Sequence, residues 1–536
     1  MKGRVPVAHW AALAAGLTLL NASLTFVNVW PTLGVRMSPR LSIEAVLLVA
    51  GLAIAGALSE RALTPAARRL LAIAWVVLAL VHYIEISSRS LYGRNVNLYW
   101  DLKLLPDVGA MFAYVAQPRV LAGVLVGVVL VPLLLYIAVR WAIGCVSEAS
   151  IHPLRRRVLL TGVALSLLAG TAPLASDRLS SPLSFARPVS LALAGEAVEF
   201  VWEASGLAHE PLPPAPNVRN DLARVLGADV IVLFVESYGA TSWDRPEFSR
   251  ALAPAREQLV TAIADTGRAS VTAMVESTTF GGESWLAHIS LLSGTEVRDP
   301  DVNRRLMTER RDTMVTTFAR AGYDTVAIMP GLQAPWPEGR FYGFDRIYSA
   351  ADLGYAGPPF GWWDVTDQFV IARMDALALG PGTRPPVFVF LPSISTHAPF
   401  TPVPPYQPDW ARALTPAPYD DDELMLAYEE TADWTNLGPG YARSLAYTYE
   451  TLGGYLRLRA DRDMVFVIIG DHQPPALVSG EGASWDVPVH VVASRPAVLA
   501  RLRSHGFVDG LTPRKPALAR MDTLMPILLD AFGNAP

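Results

Sequence analysis

The chain has 536 residues, a formal net charge of -5 and a hydrophobic share of 51%. This small charge, without a Lys/Arg-rich cluster interleaved with aromatic residues, disfavours a nucleic-acid partner. The single cysteine, Cys145, excludes a disulfide framework and a cysteine-based metal site. Charges are sparse up to about residue 175 and return at globular frequencies beyond residue 219. We therefore expect an apolar amino-terminal domain and a globular carboxy-terminal one.

Long apolar stretches in the first part of the chain predict transmembrane helices, because each can cross ~30 Å of hydrocarbon. The five predicted spans are residues 6–30, 42–59, 68–87, 120–143 and 157–175. The first resembles a signal peptide, but its apolar run is long and no small-residue cleavage site precedes the second span. We interpret it as a retained anchor, and residues 1–175 as a membrane domain.

Lysines and arginines near the span ends predict the orientation of this domain. The side expected to be cytoplasmic collects Lys2, Arg4, Arg61, Arg68, Arg69, Arg140, Arg155, Arg156 and Arg157. Because the number of predicted spans is odd, everything after residue 175 should lie outside the cytoplasm. We expect a multi-pass protein of the cell (inner) membrane with a periplasmic or extracellular carboxy-terminal domain.

Two further segments accompany the predicted spans. Residues 88–119 mix Leu, Tyr and Trp with single charges, which favours a short helix in the membrane interface. This helix either positions a lipid headgroup or only anchors the bundle. Residues 176–218 are proline-rich around an amphipathic helix at 189–205, which is typical of a connector.

Residues 219–536 alternate short β-rich apolar runs with helical segments. This pattern predicts an α/β domain with a mostly parallel sheet covered by helices on both faces. The clearest predicted strands are Val230–Val235, Asp324–Ile328, Val387–Leu391 and Met464–Ile469. In such sheets the ligand site lies just beyond the carboxyl ends of the strands.

Polar residues with metal-binding chemistry follow three of these strands. Glu236 ends the first, His397 follows the third, and Asp471 and His472 end the fourth. Two carboxylates and an imidazole suit Mn²⁺, Zn²⁺ or Mg²⁺. Each residue also has a plainer interpretation, as a loop residue or a helix cap. Their occurrence at several strand ends favours the functional interpretation.

A polar segment, residues 276–283, precedes an apolar helix predicted over Trp285–Leu292 and capped by Gly294. A hydroxyl at such a helix start, beside a metal ion, becomes a nucleophile, and the free N–H groups there hold phosphate oxygens. Thr279 is the predicted hydroxyl, with Thr278 as its competitor; either could instead be a simple helix cap. His288, on the apolar helix, is interpreted as structural.

Together these motifs resemble the lipoteichoic acid synthase-like phosphoglycerol transferases of the alkaline phosphatase and sulfatase superfamily. The resemblance follows the chain from the five spans through the interfacial loop and linker to the globular domain. Its motifs there are Val235-Glu236-Ser237, Thr279 with Glu283, Thr396-His397-Ala398-Pro399 and Gly470-Asp471-His472.

The resemblance implies one divalent cation, commonly Mn²⁺, with Mg²⁺ or Zn²⁺ as alternatives. Its implied ligands are Glu236, Thr279, Asp471 and His472. Thr279 is also the implied nucleophile, chosen over Thr278 because it preserves the four-residue step to Glu283. The implied substrate-binding residues are His397, Trp336 and Arg340.

The family usually has a Thr-Ser-Asp-like sequence at the nucleophile, whereas Phe280-Gly281-Gly282 follows Thr279 here. Sulfatases need a modifiable residue in a Cys/Ser-x-Pro-x-Arg setting, and neither Cys145 nor any serine has one. Phosphoethanolamine transferases of this architecture usually carry several disulfides, which a single cysteine cannot supply. They are therefore the second choice.

The expected function is transfer of the phosphoglycerol headgroup of phosphatidylglycerol, an anionic phospholipid, to a glycan or glycerol phosphate acceptor through a phospho-threonine. A hydrolase of the same superfamily would share every motif and use water as the acceptor. A non-catalytic membrane protein with a relict domain is disfavoured, because all the implied ligands are present.

Overall fold

A computed structural model describes residues 7–29, 32–92, 95–116, 118–171, 184–205, 211–334, 336–380 and 382–533. Parts of the predicted spans and linker, at residues 6, 30, 172–183 and 206–210, lie outside these ranges. The chain divides at about residue 210 into two compact units. Each unit is described separately.

The first unit is helical. Its described helices are α1 (Val7–Thr25), α2 (Ile43–Ser59), α3 (Pro65–Tyr92), α4 (Leu98–Val115), α5 (Pro118–Ser150), α6 (Pro153–Thr171) and α7 (Val189–Ser205). Two short strands, β1 (Val27–Asn28) and β2 (Val35–Arg36), pair antiparallel. The predicted interfacial helix corresponds to α4, and the predicted linker helix to α7.

Each of the five predicted spans contains a helix. By length and composition, three helical stretches can cross a membrane, namely Val7–Thr25, Pro65–Ser90 and Pro118–Ser150. Helix α2 is apolar but has only 17 residues, and α6 carries three consecutive arginines, Arg155–Arg157, near its start. The count of five spans therefore stays a prediction.

The second unit contains a nine-stranded sheet. Its strands are β3 (Asp229–Val235), β4 (Ala269–Glu276), β5 (Asp324–Ile328), β6 (Arg346–Tyr348), β7 (Val387–Pro392), β8 (Met464–Gly470), β9 (Asp486–Ala493), β10 (Val508–Asp509) and β11 (Ala519–Arg520). The strand order is β10-β4-β9-β8-β3-β7-β5-β6, with β11 beside β4. From β8 to β6 all neighbours are parallel, whereas β9 is antiparallel to both β8 and β4.

Helices connect these strands. They are α8 (Thr241–Asp244), α9 (Pro246–Asp265), α10 (Ser284–Ser293), α11 (Pro300–Leu306), α12 (Met314–Arg320), α13 (Gly339–Tyr342), α14 (Ala350–Leu353), α15 (Asp367–Ala378), α16 (Asp421–Glu429), α17 (Gly438–Leu458), α18 (Ala476–Ser479), α19 (Pro496–Ser504) and α20 (Met521–Phe532). A 3₁₀ turn covers Arg412–Leu414.

The sheet is covered on both faces, which explains its uninterrupted apolar strands. Side chains alternate across a strand, and along β3 Val230, Val232 and Phe234 pack into one core while Ile231, Leu233 and Val235 pack into another. Residues from α10, α12, α19 and α20 fill the first core, and residues from α9, α15 and α17 fill the second. The predicted α/β fold with a mostly parallel sheet is confirmed.

All four predicted strands are present, and they are neighbours in the order β8-β3-β7-β5. Because these strands are parallel, their carboxyl ends meet at one edge of the sheet. The segments that carry Glu236, His397, Asp471 and His472 begin at that edge.

Candidate active site

Glu236, Asp471 and His472 come together where β3 and β8 end. The parallel register pairs Val235 with Gly470, so the residues that follow the two strands lie side by side. Ligand atoms of the three side chains lie within 4.8 Å of one another. His472 Nε2 is 3.3 Å from Glu236 Oε1 and 3.8 Å from Asp471 Oδ2. All three side chains are buried, and we refer to these three candidate ligands as the metal-ligand cluster.

The two strand ends approach so closely that glycine is required at Gly470. A Cβ atom there would lie 1.9 Å from the carbonyl oxygen of Tyr238. Gly239 is constrained in the same way, because a Cβ would lie 1.9 Å from Oε1 of the buried Gln473. The close backbone contact brings carboxylates from two distant parts of the chain into one site.

Ser237 links the two carboxylates. Its φ of +56° is in the left-handed region, which side chains other than glycine rarely adopt. In this conformation its backbone N–H donates to Asp471 Oδ1 over 2.8 Å, and its hydroxyl donates to Glu236 Oε1 over 3.1 Å. The backbone N–H of His472 also donates to Asp471 Oδ1, over 2.6 Å. Asp471 Oδ2 is therefore the oxygen left to coordinate a cation.

The tautomer of His472 follows from a second backbone contact. His472 Nδ1 lies 2.7 Å from the carbonyl oxygen of Gln473, an acceptor, so Nδ1 carries the proton. The lone pair of the neutral ring is then on Nε2, which faces the carboxylates. The same carbonyl accepts the N–H of Gly281 over 3.1 Å. This contact ties the loop after β4 to the metal-ligand cluster.

The three ionisable groups of the metal-ligand cluster are buried together, so each shifts the pKa values of the others. Burial disfavours the charge of Glu236, but attraction to His472 and His397 holds its pKa well below its usual range. Burial and the neighbouring Glu236 carboxylate raise the pKa of Asp471 well above its usual range. Burial opposes the charge of His472, yet Asp471 and Glu236 raise its pKa to about 9. A divalent cation would neutralise both carboxylates, so the donor set fits the predicted metal.

The hydroxyl beside the metal-ligand cluster belongs to Ser284. Its Oγ donates to Glu236 Oε2 over 2.9 Å and lies 3.1 Å from His472 Nε2. Ser284 is the first residue of α10, which has 10 residues. The backbone N–H groups of the first turn of a helix have no intrahelical partner, and the helix dipole is positive there. Ser284 thus combines a hydroxyl at the metal-ligand cluster with a helix terminus that can hold phosphate oxygens.

The predicted threonine does not occupy this position. Thr279 Oγ1 donates to the carbonyl oxygen of Gly282 over 2.5 Å, inside the turn that joins β4 to α10. Three successive residues of that turn, Gly281, Gly282 and Glu283, have positive φ angles of 72°, 158° and 59°. They reverse the chain, so that its next hydroxyl, on Ser284, reaches the metal-ligand cluster. The catalytic and metal-binding role of Thr279 stays a prediction.

Thr278, the competing threonine, contacts Ser290, whose Oγ donates to Thr278 Oγ1 over 3.4 Å. The predicted apolar helix begins at Ser284, one residue before the expected start, and Gly294 caps it in the left-handed conformation with φ of +59°. The predicted glycine cap is confirmed.

His397 follows β7 in a loop that Asp367 holds. The carboxylate of Asp367 accepts backbone N–H groups from Ile394 over 2.7 Å and Ser395 over 3.1 Å. Burial raises the pKa of Asp367 to about 6 in spite of these contacts. His397 Nδ1 lies 2.7 Å from the Ala398 carbonyl oxygen, and its charge lowers the pKa of Glu236. The loop therefore holds His397 within electrostatic range of the metal-ligand cluster.

Trp336 and Arg340 lie elsewhere in the second unit. The ring of Trp336 packs 5.3 Å from that of Tyr342, and Arg340 lines a surface cavity with Arg310 and Arg311. Within the described part of the chain, neither side chain forms a hydrogen bond, ion pair or ring contact with the metal-ligand cluster. Their role in substrate binding stays a prediction.

His288 packs between aromatic rings of β3 and β7. Its ring centroid lies 4.6 Å from that of Phe234 and 5.4 Å from that of Phe390, and burial lowers its pKa to about 3. A neutral imidazole in an aromatic environment fits the structural interpretation.

Sequence reasoning did not single out Ser284 or Gln473. The available signal for Ser284 was its place at the start of the apolar helix, two residues after the Gly281-Gly282 pair. The contacts of Gln473 join distant segments, for which the sequence holds no local signal.

Residues 228–491 match the sulfatase family model. Among solved structures, the chain is similar to the lipoteichoic acid synthase LtaP from Listeria monocytogenes, with 13% identity over 62% of this chain and 80% of that chain and a TM-score of 0.37. It is also similar to the phosphoglycerol transferase GacH from Streptococcus pyogenes, with 12% identity over 64% of this chain and 82% of that chain and a TM-score of 0.37.

A third similar structure is the lipooligosaccharide phosphoethanolamine transferase EptA from Neisseria meningitidis. The identity is 14%, over 97% of this chain and 95% of that chain, and the TM-score is 0.47. A search of curated proteins found no significant match.

Proposed function

We propose, on the premise that residues 228–491 form a sulfatase-family domain, that this protein is a metal-dependent phosphotransferase whose nucleophile is Ser284. The family match confirms the superfamily expected from the strand-end motifs. The observation that carries the proposal is the Ser284 hydroxyl, which contacts both Glu236 and His472 at the start of α10.

The sequence around Ser284 favours phosphoryl transfer over sulfate-ester hydrolysis. Ser284 is followed by Trp285-Leu286-Ala287-His288, without the proline and arginine that a modifiable serine of sulfatases needs. An unmodified hydroxyl remains, and it requires activation. A divalent cation at the metal-ligand cluster would supply that activation by lowering the pKa of the hydroxyl and by polarising phosphoryl oxygens.

The protein side of the reaction has two steps. In the first, Ser284 Oγ attacks the phosphorus of a phosphodiester donor, Glu236 holds the hydroxyl proton through its existing hydrogen bond, and the bond from phosphorus to the lipid alcohol breaks. The lipid alcohol takes up that proton and leaves, and the headgroup phosphate remains on Ser284. In the second step an acceptor hydroxyl attacks the same phosphorus, the bond from phosphorus to Ser284 Oγ breaks, and the proton of the acceptor hydroxyl passes to Ser284.

In this proposal the donor is phosphatidylglycerol, and the products are diacylglycerol and a phosphoglycerol-bearing acceptor. His397, near the metal-ligand cluster, can donate a hydrogen bond to phosphate or glycerol oxygens when protonated. The acceptor is a glycan or a growing glycerol phosphate chain. Long apolar helices in the first unit fit a lipid donor, because a membrane anchor raises the effective concentration of lipid headgroups at the site.

The test uses purified full-length protein, Mn²⁺ and phosphatidylglycerol labelled in its headgroup. We expect release of diacylglycerol and transient label on Ser284, found by mass spectrometry of the trapped protein. Ser284→Ala should lose both. Thr279→Ala and Thr278→Ala should retain label and turnover, because their hydroxyls hydrogen bond away from the metal-ligand cluster.

Other results would change the assignment in distinct ways. Label on Thr279, with loss of activity in Thr279→Ala alone, would return the nucleophile to Thr279. Faster turnover of phosphatidylethanolamine would indicate a phosphoethanolamine transferase. Release of free glycerol phosphate into water without any acceptor would indicate a hydrolase.

A further inference from the structure

Trp363 packs against the imidazole of His397. The two ring centroids lie 4.8 Å apart with an interplanar angle of 81°, an edge-to-face arrangement. The indole also lies against the backbone at Gly331, where a Cβ atom would be 3.1 Å from Trp363 Nε1. A side chain at position 331 would therefore displace the indole.

These contacts join three loops at one edge of the sheet. Gly331 follows β5, His397 follows β7, and Trp363 lies in the loop that leads into α15. Strand β7 lies between β5 and β3, the strand that ends at Glu236. Next to the metal-ligand cluster along this edge is the end of β7, which His397 follows. Beyond it is the end of β5, which Gly331 follows.

The imidazole of His397 has one nitrogen committed to the protein. Nδ1 lies 2.7 Å from the Ala398 carbonyl oxygen and donates to it, which leaves Nε2 for a substrate. That single hydrogen bond still permits the ring to tilt. The edge-to-face contact with Trp363 restricts the tilt, because such pairs prefer a defined relative orientation.

We infer that Trp363 is a positioning residue, which holds the imidazole of His397 so that its Nε2 meets the phosphate or headgroup oxygens of the donor. The inference rests on the proposed function for its effect on turnover, but the packing itself is testable without a substrate. The aromatic residue given this role is Trp363, whereas the sequence predicted Trp336 as the aromatic residue that binds substrate.

The first arm measures the reactivity of His397 toward diethyl pyrocarbonate in the full-length protein, by mass spectrometry. Trp363→Ala should increase the rate of carbethoxylation of His397 severalfold, whereas Trp363→Phe should leave it near the wild-type rate because an aromatic ring remains. His505, which pairs with Asp530 in another part of the unit, is the internal reference and should not change. An unchanged rate at His397 in Trp363→Ala would overturn the inference.

The second arm measures diacylglycerol release. Trp363→Ala should raise KM roughly threefold to tenfold, the range expected for loss of one aromatic pair, with a smaller effect on kcat and with the bound metal retained. Trp363→Phe should restore KM. Trp434→Ala, at an exposed tryptophan, is the matched control and should behave as wild type.

The double variant distinguishes an effect through His397 from an independent one. In a His397→Ala background, Trp363→Ala should add less than about a twofold change, because residues that act as a unit are not additive. Full additivity, or loss of metal in Trp363→Ala, would overturn the positioning role. If wild type releases no diacylglycerol while Trp363→Ala still increases the rate of carbethoxylation of His397, the proposed donor is wrong and the positioning role stands.

Discussion

Asp471 and His472 each use one atom to hold their place and leave another for a cation. Asp471 Oδ1 accepts two backbone N–H groups, so Oδ2 remains. Nδ1 of His472 donates to a backbone carbonyl, so Nε2 remains. Backbone and hydroxyl groups that orient ligands in this way raise metal affinity, because the ligands lose little freedom on binding.

The first prediction concerns the metal. Asp471→Ala or His472→Ala should remove bound metal and activity while the membrane helices stay folded, because each change deletes a ligand. Inductively coupled plasma mass spectrometry of purified protein measures the metal. Asp509→Ala, at a side chain that is 72% exposed, is the control and should retain the metal. Full occupancy in both cluster variants would remove the proposed coordination site.

The second prediction concerns His288 and pH. Because its pKa falls from 6.5 to about 3 on folding, the unfolded chain binds this proton more readily than the folded chain. Stability from the neutral imidazole is therefore fully present above pH 6.5 and is lost as pH falls toward 3. In His288→Leu the melting temperature should fall less between pH 7 and pH 5 than in wild type. An equal fall in both proteins would assign the acid sensitivity to other groups.

At the scale of elements, the site depends on how closely two strands and one helix meet. The segment after β3 approaches the end of β8 through Tyr238 and Gly470, and three residues with positive φ lead the chain into α10. Parallel pairing alone brings the strand ends together, but the glycine allows the last contact to close. The orientation of α10 then determines which hydroxyl lies beside the metal-ligand cluster.

The third prediction tests this close approach. Gly470→Ala would place a methyl group 1.9 Å from a backbone carbonyl, so the strand ends must separate. We expect the free energy of unfolding to fall by about 1–3 kcal/mol, the usual cost of overpacking, and metal binding to weaken. Thermal unfolding and metal content measure the two effects. Gly380→Ala is the matched control, since its Cβ would meet its nearest atom at an ordinary 3.4 Å. Equal stability in the two variants would contradict the constraint.

At the scale of the whole molecule, composition separates a helical unit with long apolar helices from an α/β unit that carries the site. The side of the membrane on which the site lies follows from the number of helices that cross. An odd number from a cytoplasmic start puts the metal-ligand cluster outside.

The fourth prediction therefore concerns topology. A reporter fused after residue 218 should be active as a periplasmic or extracellular fusion, and one fused after Cys145 should be active as a cytoplasmic fusion. Alkaline phosphatase and green fluorescent protein reporters, which work on opposite sides, measure the two cases. Both fusions on one side would contradict the count of five spans.

The α/β fold and three members of the site were predictable from local patterns. Apolar runs of strand length predict buried strands, and polar residues at their carboxyl ends predict a shared edge, which is why Glu236, Asp471 and His472 were found. The antiparallel strands β4 and β9 were not among the clearest predicted strands, because polar residues interrupt their apolar runs, namely Ser270 and Thr272 in β4 and His490 in β9. Helix α10 and its glycine cap followed from an apolar run and Gly294.

Tertiary structure alone decided which hydroxyl contacts the metal-ligand cluster and which aromatic ring contacts His397. Thr279 and Ser284 are five positions apart, and the hydroxyl that reaches the metal-ligand cluster depends on three successive positive φ angles, in a turn whose Gly281 N–H donates to the Gln473 carbonyl oxygen. Trp363 meets His397 because β5 and β7 are neighbours and Gly331 leaves room for the indole. A sequence encodes strand and helix type through local periodicity, whereas these contacts join segments far apart in the chain, and their geometry exists only once the sheet has formed.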